Sequence, residues 1–451
     1  MVRRRKGLVG GLAVVVLGAW LLSMPPAYIR PAEAYLLPET SAALLAVKAT
    51  SDDVGTAVLT GPTAPGHDDV VLQEERGQAF LTARDGWIWR LELGSGKAKR
   101  FVRTPLVASG AKFLPRDPDR MLFCASHLYG FKPEHEASVG VYELRLSTRE
   151  IRALALRVPL PPPLKPEGEG GTGRAGGVLN GEGAVYPLAT TPALRFADMT
   201  EANSRPMAFC NDLDISEDGQ RIYVSEPYDY PGAAMGNEAA FREAISLARN
   251  GRLWMFDLES KSARLVAQDF HFVDGVLLDS GSESARGGTG REESIVITET
   301  PKFRLLRLFV GGPKAGTAEV LQEGLPGMPD GLSRDERGRI YVALYRGRPG
   351  SAAWIHANPW IKPLLLRLPP ALFPISHETG YLVLDPSGRQ PLYLTLHDGH
   401  RVSSISKVNP GRDGIFLTSF DHDNQGVHVV GYPAALALQQ GNQPGGAASG
   451  R

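Results

Sequence analysis

An all-β fold assembled from repeated hairpins is what this chain of 451 residues predicts. A Gly-bearing turn precedes an alternating apolar strand at ARDGWIWRLEL (Ala83–Leu93), SEDGQRIYV (Ser216–Val224), ARNGRLWMFDL (Ala248–Leu258) and RDERGRIYVAL (Arg334–Leu344), with a looser copy at DPSGRQPLYLTL (Asp385–Leu396). Asp-Gly and Asn-Gly are hairpin chemistry, because Gly accepts positive φ without steric cost. Hairpins that recur several tens of residues apart point to a β-propeller. Composition agrees, with Gly 51 and Pro 35 and few long helical patterns. A parallel α/β fold would need a helix between successive strands, and a sandwich would need fewer strands.

The N-terminus carries Arg3, Arg4, Arg5 and Lys6, followed by an apolar run from Gly7 to Met24. That length is at the lower limit for crossing a bilayer, and the basic cluster keeps the N-terminus in the cytoplasm. The alternative is a cleaved signal peptide with Ala32-Glu33-Ala34 as its A-x-A site. Pro25-Pro26 intervenes and the site lies well beyond the apolar run, so residues 1–26 read as an uncleaved transmembrane anchor. On either reading most of the chain lies outside the cytoplasm, as a membrane-anchored or a secreted protein. Residues 27–65 read as a stalk, 66–432 as the propeller and 433–451 as a disordered tail.

Lys+Arg 49 against Asp+Glu 49 leaves the chain neutral. No basic patch of the size nucleic acid requires is present. Cys124 and Cys210 are too few for a disulfide scaffold; they are either two buried thiols or one exported bridge. Pro159–Pro163 and GEGGTGRAGG (Gly168–Gly177) read as a flexible connection, since no strand precedes the glycines and no helix follows. Asn237–Arg249 should be a short helix with an Asn cap. Trp354–Phe373, rich in Leu, Trp and Pro, reads either as a surface dipping into the bilayer or as packing on the rim; Pro363 and Pro369 limit it to short turns.

The chemistry concentrates in AFCNDLDISEDGQRIYV (Ala208–Val224). Asn211-Asp212 sits inside a strand pattern that both residues disfavour. Oxygen ligands for a hard cation would explain the pair, and so would a hydrogen-bonded strand end.

At GHDDVVL (Gly66–Leu72), CNDLDIS (Cys210–Ser216), ARNGRLWMFDLESKSARLV (Ala248–Val266), the long stretch Ile295–Leu344 with GGPKAGTAEV and LPGMPDG, HDGHRVSSISKV (His397–Val408) and GIFLTSF (Gly414–Phe420), the chain resembles the strictosidine synthase-like group. That group stands within the gluconolactonase, regucalcin and paraoxonase-like propellers. The resemblance implies six blades around a central tunnel and a divalent cation, usually calcium, near one mouth, where Asn237–Arg249 and Trp354–Phe373 would be short helical insertions. It also implies four ligands. Asp68 stands in place of the family's opening Glu, Asn211 matches the Asn of the Asn-Asp pair, Asp274 replaces a usual Asn, and Asp330 matches the Asp of the Pro-Asp pair. Gly331 stands where a second Asn often follows.

These four side chains offer only oxygen, which suits Ca²⁺ or Mg²⁺ and disfavours a structural zinc; a loose cage drawn from separate blades suits Ca²⁺. Three carboxylates around one ion-free cavity repel, so at least one pKa should be raised. Asp274 and Asp330 are candidate catalytic carboxylates. Among the histidines, His127 and His271 lead as candidate bases, with His397 and His400 behind them. There is no Gly-x-Ser-x-Gly elbow, and Ser225-Glu226-Pro227 departs from the Thr-Asp-Ser common in the group. The expected activity is metal-dependent hydrolysis of a lactone or ester. A non-catalytic propeller that binds a ligand or protein partner is the rival, and a strictosidine synthase-type condensation is disfavoured because no later-blade Glu is identified. Nothing in the sequence fixes the oligomeric state.

Overall fold

Gly86 and Gly338 adopt φ of 77° and 80° and turn the chain between Gln78–Ala83 and Trp87–Glu92, and between Gly327–Arg334 and Ile340–Gly347, as the hairpin pattern requires. The computed structural model describes residues 15–16, 18–19, 34–163, 185–188, 190–230, 232–279, 293–368, 372 and 375–437. Strand pairing repeats around antiparallel units of four strands in chain order, two of which gain a fifth, outer strand, Leu194–Arg195 and Val185–Pro187. The first runs His67–Gln73, Gln78–Ala83, Trp87–Glu92, Lys97–Arg103. Next come Val107–Leu114, Asp117–Ser126, Gly140–Arg145, Glu150–Ala155. The third is Leu213–Ile215, Arg221–Glu226, Gly251–Asp257, Ser262–Phe270. Val273–Asp279, Glu293–Glu299, Arg304–Gly311 and Thr317–Gln322 follow. Gly327–Arg334, Ile340–Gly347, Thr379–Leu384 and Pro391–His397 make the next.

The final unit closes the ring. Ile405–Pro410, Ile415–Ser419 and Gln425–Val430 take their fourth strand, Val58–Pro65, from the beginning of the fold, with Val58 opposite Val429. Sealing the ends against each other removes two open sheet edges. The result is an all-β, propeller-like fold. Apolar residues from neighbouring units interleave between the sheets, Trp254, Phe256, Phe123 and Phe80 among them, all essentially inaccessible. Each such side chain contributes on the order of 1.5–3 kcal/mol by leaving water.

Several expectations change on inspection. The stalk of residues 27–65 gives way to packed chain from Tyr35 onward: Tyr35, Leu37 and Leu44 are buried, Ala42–Ala46 is helical, and Val58–Pro65 is a strand. The tail likewise begins inside the fold, where Ala434–Ala437 is helical and Leu436 is buried, with its carbonyl accepting from Arg339. The predicted helix spans Asn237–Ser246. Its cap position is Gly236, without a side-chain cap, so Asn237 lies inside the helix. Asn250-Gly251 is not a hairpin turn but leads from this helix into a strand. Most of the apolar run Gly7–Met24 and all of Gly168–Gly177 lie outside the described residues. No helix among the described residues is long and apolar enough to cross a membrane.

Cys124 and Cys210 form a disulfide that ties the second unit to the third, directly before Asn211. Of the two sequence alternatives, the bridge is the one found.

Candidate functional site

The innermost strand of unit after unit is interrupted at the same height. Register shifts fall between His67 and Val70, Ala108 and Ala111, Val273 and Val276, and Pro329 and Leu332. A fifth lies between Ile405 and Lys407. Such bulges re-aim side chains and end regular pairing, which is why they gather at sites. Asn211-Asp212 holds the equivalent place just before Leu213–Ile215. All but the Ala108–Ala111 interruption, where Ser109 Oγ donates to the Cys210 and Asn211 carbonyls, present one residue to a cavity and a second to the layer beneath, and the two sets do different work.

The upper set contains Asp68, Asn211, Asp274, Asp330 and Ser406, which together line a cavity of 390 Å³. Most of its wall is apolar and aromatic, with Phe209, Tyr228, Met235, Phe241, Phe272 and Met328, and Arg84, Arg346, Asp421 and His422 add charged and polar groups. The four predicted ligand residues therefore meet, although 262 residues separate the first from the last.

Their backbones are fixed by hydroxyls from the preceding unit. Ser126 Oγ donates to Cys210 O (2.8 Å), Ser225 Oγ to Asp274 O (2.6 Å), Thr300 Oγ1 to Pro329 O (2.8 Å) and Thr418 Oγ1 to Asp68 O (2.8 Å). Ser225, whose neighbourhood departs from the family pattern, is thus a structural tie rather than a cavity-lining group.

The lower set is Asp69, Gly110, Asp212, Gly275, Gly331 and Lys407. The Lys407 ammonium donates to Asp69 Oδ2 at 2.8 Å and to Asp212 Oδ1 at 2.9 Å, all three groups being buried. Asp69 Oδ2 also accepts from Ala111 N, and Asp212 Oδ2 from Val276 N, each at 3.1 Å. The three glycines make room: a Cβ at Gly275 would lie 2.5 Å from Asp330 O, and one at Gly331 2.6 Å from Ser406 O. This layer was missed in the sequence. Asp212 fulfils the strand-end reading of the Asn-Asp pair, while Asn211 faces the cavity.

Charge in the upper layer is poorly compensated. Burial, with the Asp274 charge next, pushes the Asp68 carboxyl well above its ordinary range. Burial and the nearby Asp274 charge do the same for Asp330. Asp274 is raised to about 6, again chiefly by burial, and is partly relieved by hydrogen bonds from Asp330 and Asn211. Asp330 therefore keeps its proton and donates it to Asp274, while the Asn211 amide donates to Asp274 Oδ1. A raised carboxyl is what the sequence leads one to expect, but burial is the larger cause and repulsion between the carboxyls comes second.

Among the described residues, no three His, Cys, Asp or Glu side chains are grouped so as to hold a metal ion. Asp274 and Asp330 are instead hydrogen-bonded to each other, and Asn211 turns its nitrogen toward Asp274. The donor chemistry nonetheless fits a hard cation. Four oxygen-bearing side chains meet, and the nearest buried ammonium, Lys407, is engaged by the layer beneath. Binding would require loss of the Asp330 proton and rotation of the Asn211 amide to present oxygen.

The candidate histidines lie elsewhere. His127 is exposed and is not among the residues lining the cavity. His271 Nδ1 sits 2.9 Å from Glu299 Oε1 in a buried cluster with Arg304. Burial, then the Lys302 charge, lowers its pKa to about 3, so it is neutral at physiological pH. His397 bonds Asp52, and His400 is exposed. Closeness in sequence to an inner strand did not predict the direction of these rings. The imidazole that does reach the mouth is His422, in an exposed loop with no motif to mark it.

No protein-family model matches the chain. Strictosidine synthase-like protein 10 of Arabidopsis thaliana is 31% identical over 224 residues, covering 48% of this chain and 55% of that protein. The adipocyte plasma membrane-associated protein of Salmo salar is 26% identical over 223 residues, covering 48% and 50%. The chain thus spans about half the length of the curated relatives it matches. Among solved structures, a gluconolactonase from Xanthomonas campestris aligns with a TM-score of 0.48 at 12% identity, over 91% of this chain and 99% of that one. By sequence the chain is a homologue of the strictosidine synthase-like and adipocyte plasma membrane-associated proteins.

Proposed function

We propose that the chain is a hydrolase of lactones or esters that works with a divalent cation, Ca²⁺ in the first place, outside the cytoplasm and anchored to a membrane. We read each four-stranded unit as one blade, which makes six. The observation that carries the catalytic reading is the convergence of Asp68, Asn211, Asp274 and Asp330 on the floor of an apolar-walled cavity, with three carboxyl pKa values raised. Those four residues would hold the ion. When bound, it supplies positive charge that polarises a carbonyl and steadies the oxyanion that develops on it.

The remaining chemistry belongs to the chain. The aromatic walls shed water from the bound substrate and orient its apolar portion over the floor. Asp274, raised to about 6 in the ion-free site, would lose its proton beside a cation, and as a carboxylate it is the group suited to take one from an attacking water. The hydroxyl ties and the Lys407 layer keep the carboxyls from drifting apart, which is the preorganisation such a site needs.

Export is supported by the disulfide, a feature of oxidising compartments. It is supported also by the basic cluster ahead of the apolar run. A propeller that binds a ligand without turning it over is the second reading. The position of His127 and His271 away from the cavity favours it, because two candidate bases are removed.

Purified protein assayed with phenyl acetate and a panel of lactones, with and without chelator, separates the two. Chelator-sensitive turnover that falls at least about 100-fold in Asn211→Ala is the expected result. Cation binding without turnover on any of the panel would leave the binding protein and end the hydrolase reading.

A further inference from the structure

We propose that the elbow bearing Trp354 and Trp360 is a lipid-contacting edge, laid against the same bilayer that the N-terminal apolar run enters. The proposal rests on the anchoring reading above, and its test separates the two.

The helix Ala352–Ala357 and the turn Pro359–Ile361 project two indole rings outward, 53% and 68% exposed, with ring centroids 6.1 Å apart in an edge-to-face pair. Leu364, on the next turn, is 39% exposed. Single exposed apolar residues are ordinary, but a contiguous set this large marks a surface that something covers. Paired tryptophans suit one covering in particular. Their rings are apolar across the face and polar at one edge, which matches the level of lipid headgroups. Trp360 Nε1 already donates to Asn358 Oδ1 at 3.3 Å, so its ring can enter an apolar layer without stranding a donor.

The chain's own path identifies the occupant. Tyr35 N donates to His356 O at 2.9 Å, on the very helix that carries Trp354. Arg348 Nη1 donates to Pro38 O at 2.6 Å, and the Lys302 ammonium stands 4.7 Å above the Tyr35 ring. The chain is therefore pinned to this edge at the point where it joins the fold. Between Met24 and Tyr35 lie ten residues, Pro25–Ala34. Fully extended they reach no more than about 35 Å. A folded chain of this length has a radius of gyration of roughly 22 Å, so its far side is out of their range. An apolar run that enters a bilayer therefore does so on the side of the fold that carries Trp354 and Trp360.

The edge also borders the cavity. Ile355 and His356 of the same helix line a side pocket of 70 Å³ that shares Phe241, Met328 and Arg346 with the main cavity. Resting this rim on lipid places the mouth beside the bilayer surface.

The test uses the full chain reconstituted into phosphatidylcholine vesicles with plain or brominated acyl chains, comparing wild type with the Trp354→Phe, Trp360→Phe double variant. Both proteins should float with the vesicles. Bromine should quench wild-type tryptophan fluorescence, and the quenched amplitude should fall by more than half in the variant, leaving the contribution of Trp20 in the apolar run. Flotation with equal quenching in the two proteins overturns the edge and leaves the anchor standing. Protein that stays in the aqueous layer overturns both. A wild-type dimer that the double variant abolishes, with equal quenching in the two proteins, assigns the patch to a second copy and likewise overturns the proposal.

Discussion

Lys407 holds two buried carboxylates, Asp69 and Asp212, and neither has another cation within reach of an ion pair among the described residues. Removing the ammonium while leaving both acids buried should cost about 3–5 kcal/mol, the range for breaking a buried pair from one side. Urea unfolding of Lys407→Met is expected to show that loss; a change below about 1 kcal/mol would mean water reaches the pair. Glu243 supplies a second test at this scale. Its carboxyl lies on the cavity-walling helix, is raised to about 8 by burial, and has one oxygen, Oε2, with no partner. An acid whose folded pKa is raised binds its proton more tightly in the native state. Its contribution to stability is complete below about 4.5 and is lost as pH climbs to about 8. Glu243→Gln keeps the acceptor that Asn250 uses and removes the charge. The variant should gain stability over wild type at pH 8 and lose that advantage near pH 4.5. Thermal melts across this range check the sign, and a pH-independent difference would place the proton elsewhere.

The decisive element is the interrupted inner strand. At most interruptions one residue lines the cavity and its neighbour belongs to the layer beneath, so a side chain added at a glycine is felt by the site. In Gly275→Ala the new Cβ would press on Asp330 O, 2.5 Å away. Overpacking of this kind costs about 1–3 kcal/mol, and the variant should also bind calcium at least tenfold more weakly than wild type while keeping its strand content by circular dichroism. Calcium affinity equal to wild type would separate the bulge from the site. Much of this element was readable beforehand. Alternation and turn glycines located the strands, and family resemblance picked out Asp68, Asn211, Asp274 and Asp330. What stayed hidden depended on partners distant in sequence. Lys407 reads as a surface lysine in SISKVNP until Asp69 and Asp212 arrive from other units. Likewise, nothing local says that the His271 ring turns to Glu299 rather than to the cavity. Cys124 and Cys210 could be assigned only when their strands were seen side by side.

At the scale of the whole molecule, the ring exists to bring remote oxygens together. Its ends are sealed by Val58–Pro65 against Gln425–Val430, and its axis is filled below the site by Lys407. Above that plug, the fold gathers three buried carboxyls whose pKa values are raised by burial and by one another's charge. Isothermal titration of calcium into the full chain at pH 7.5 probes this directly. One ion per chain is expected for wild type, with affinity reduced at least tenfold in Asp330→Asn and in Asn211→Ala. Wild type that takes up no calcium, or variants that bind it as tightly as wild type, would contradict the claim that these four side chains share one ion.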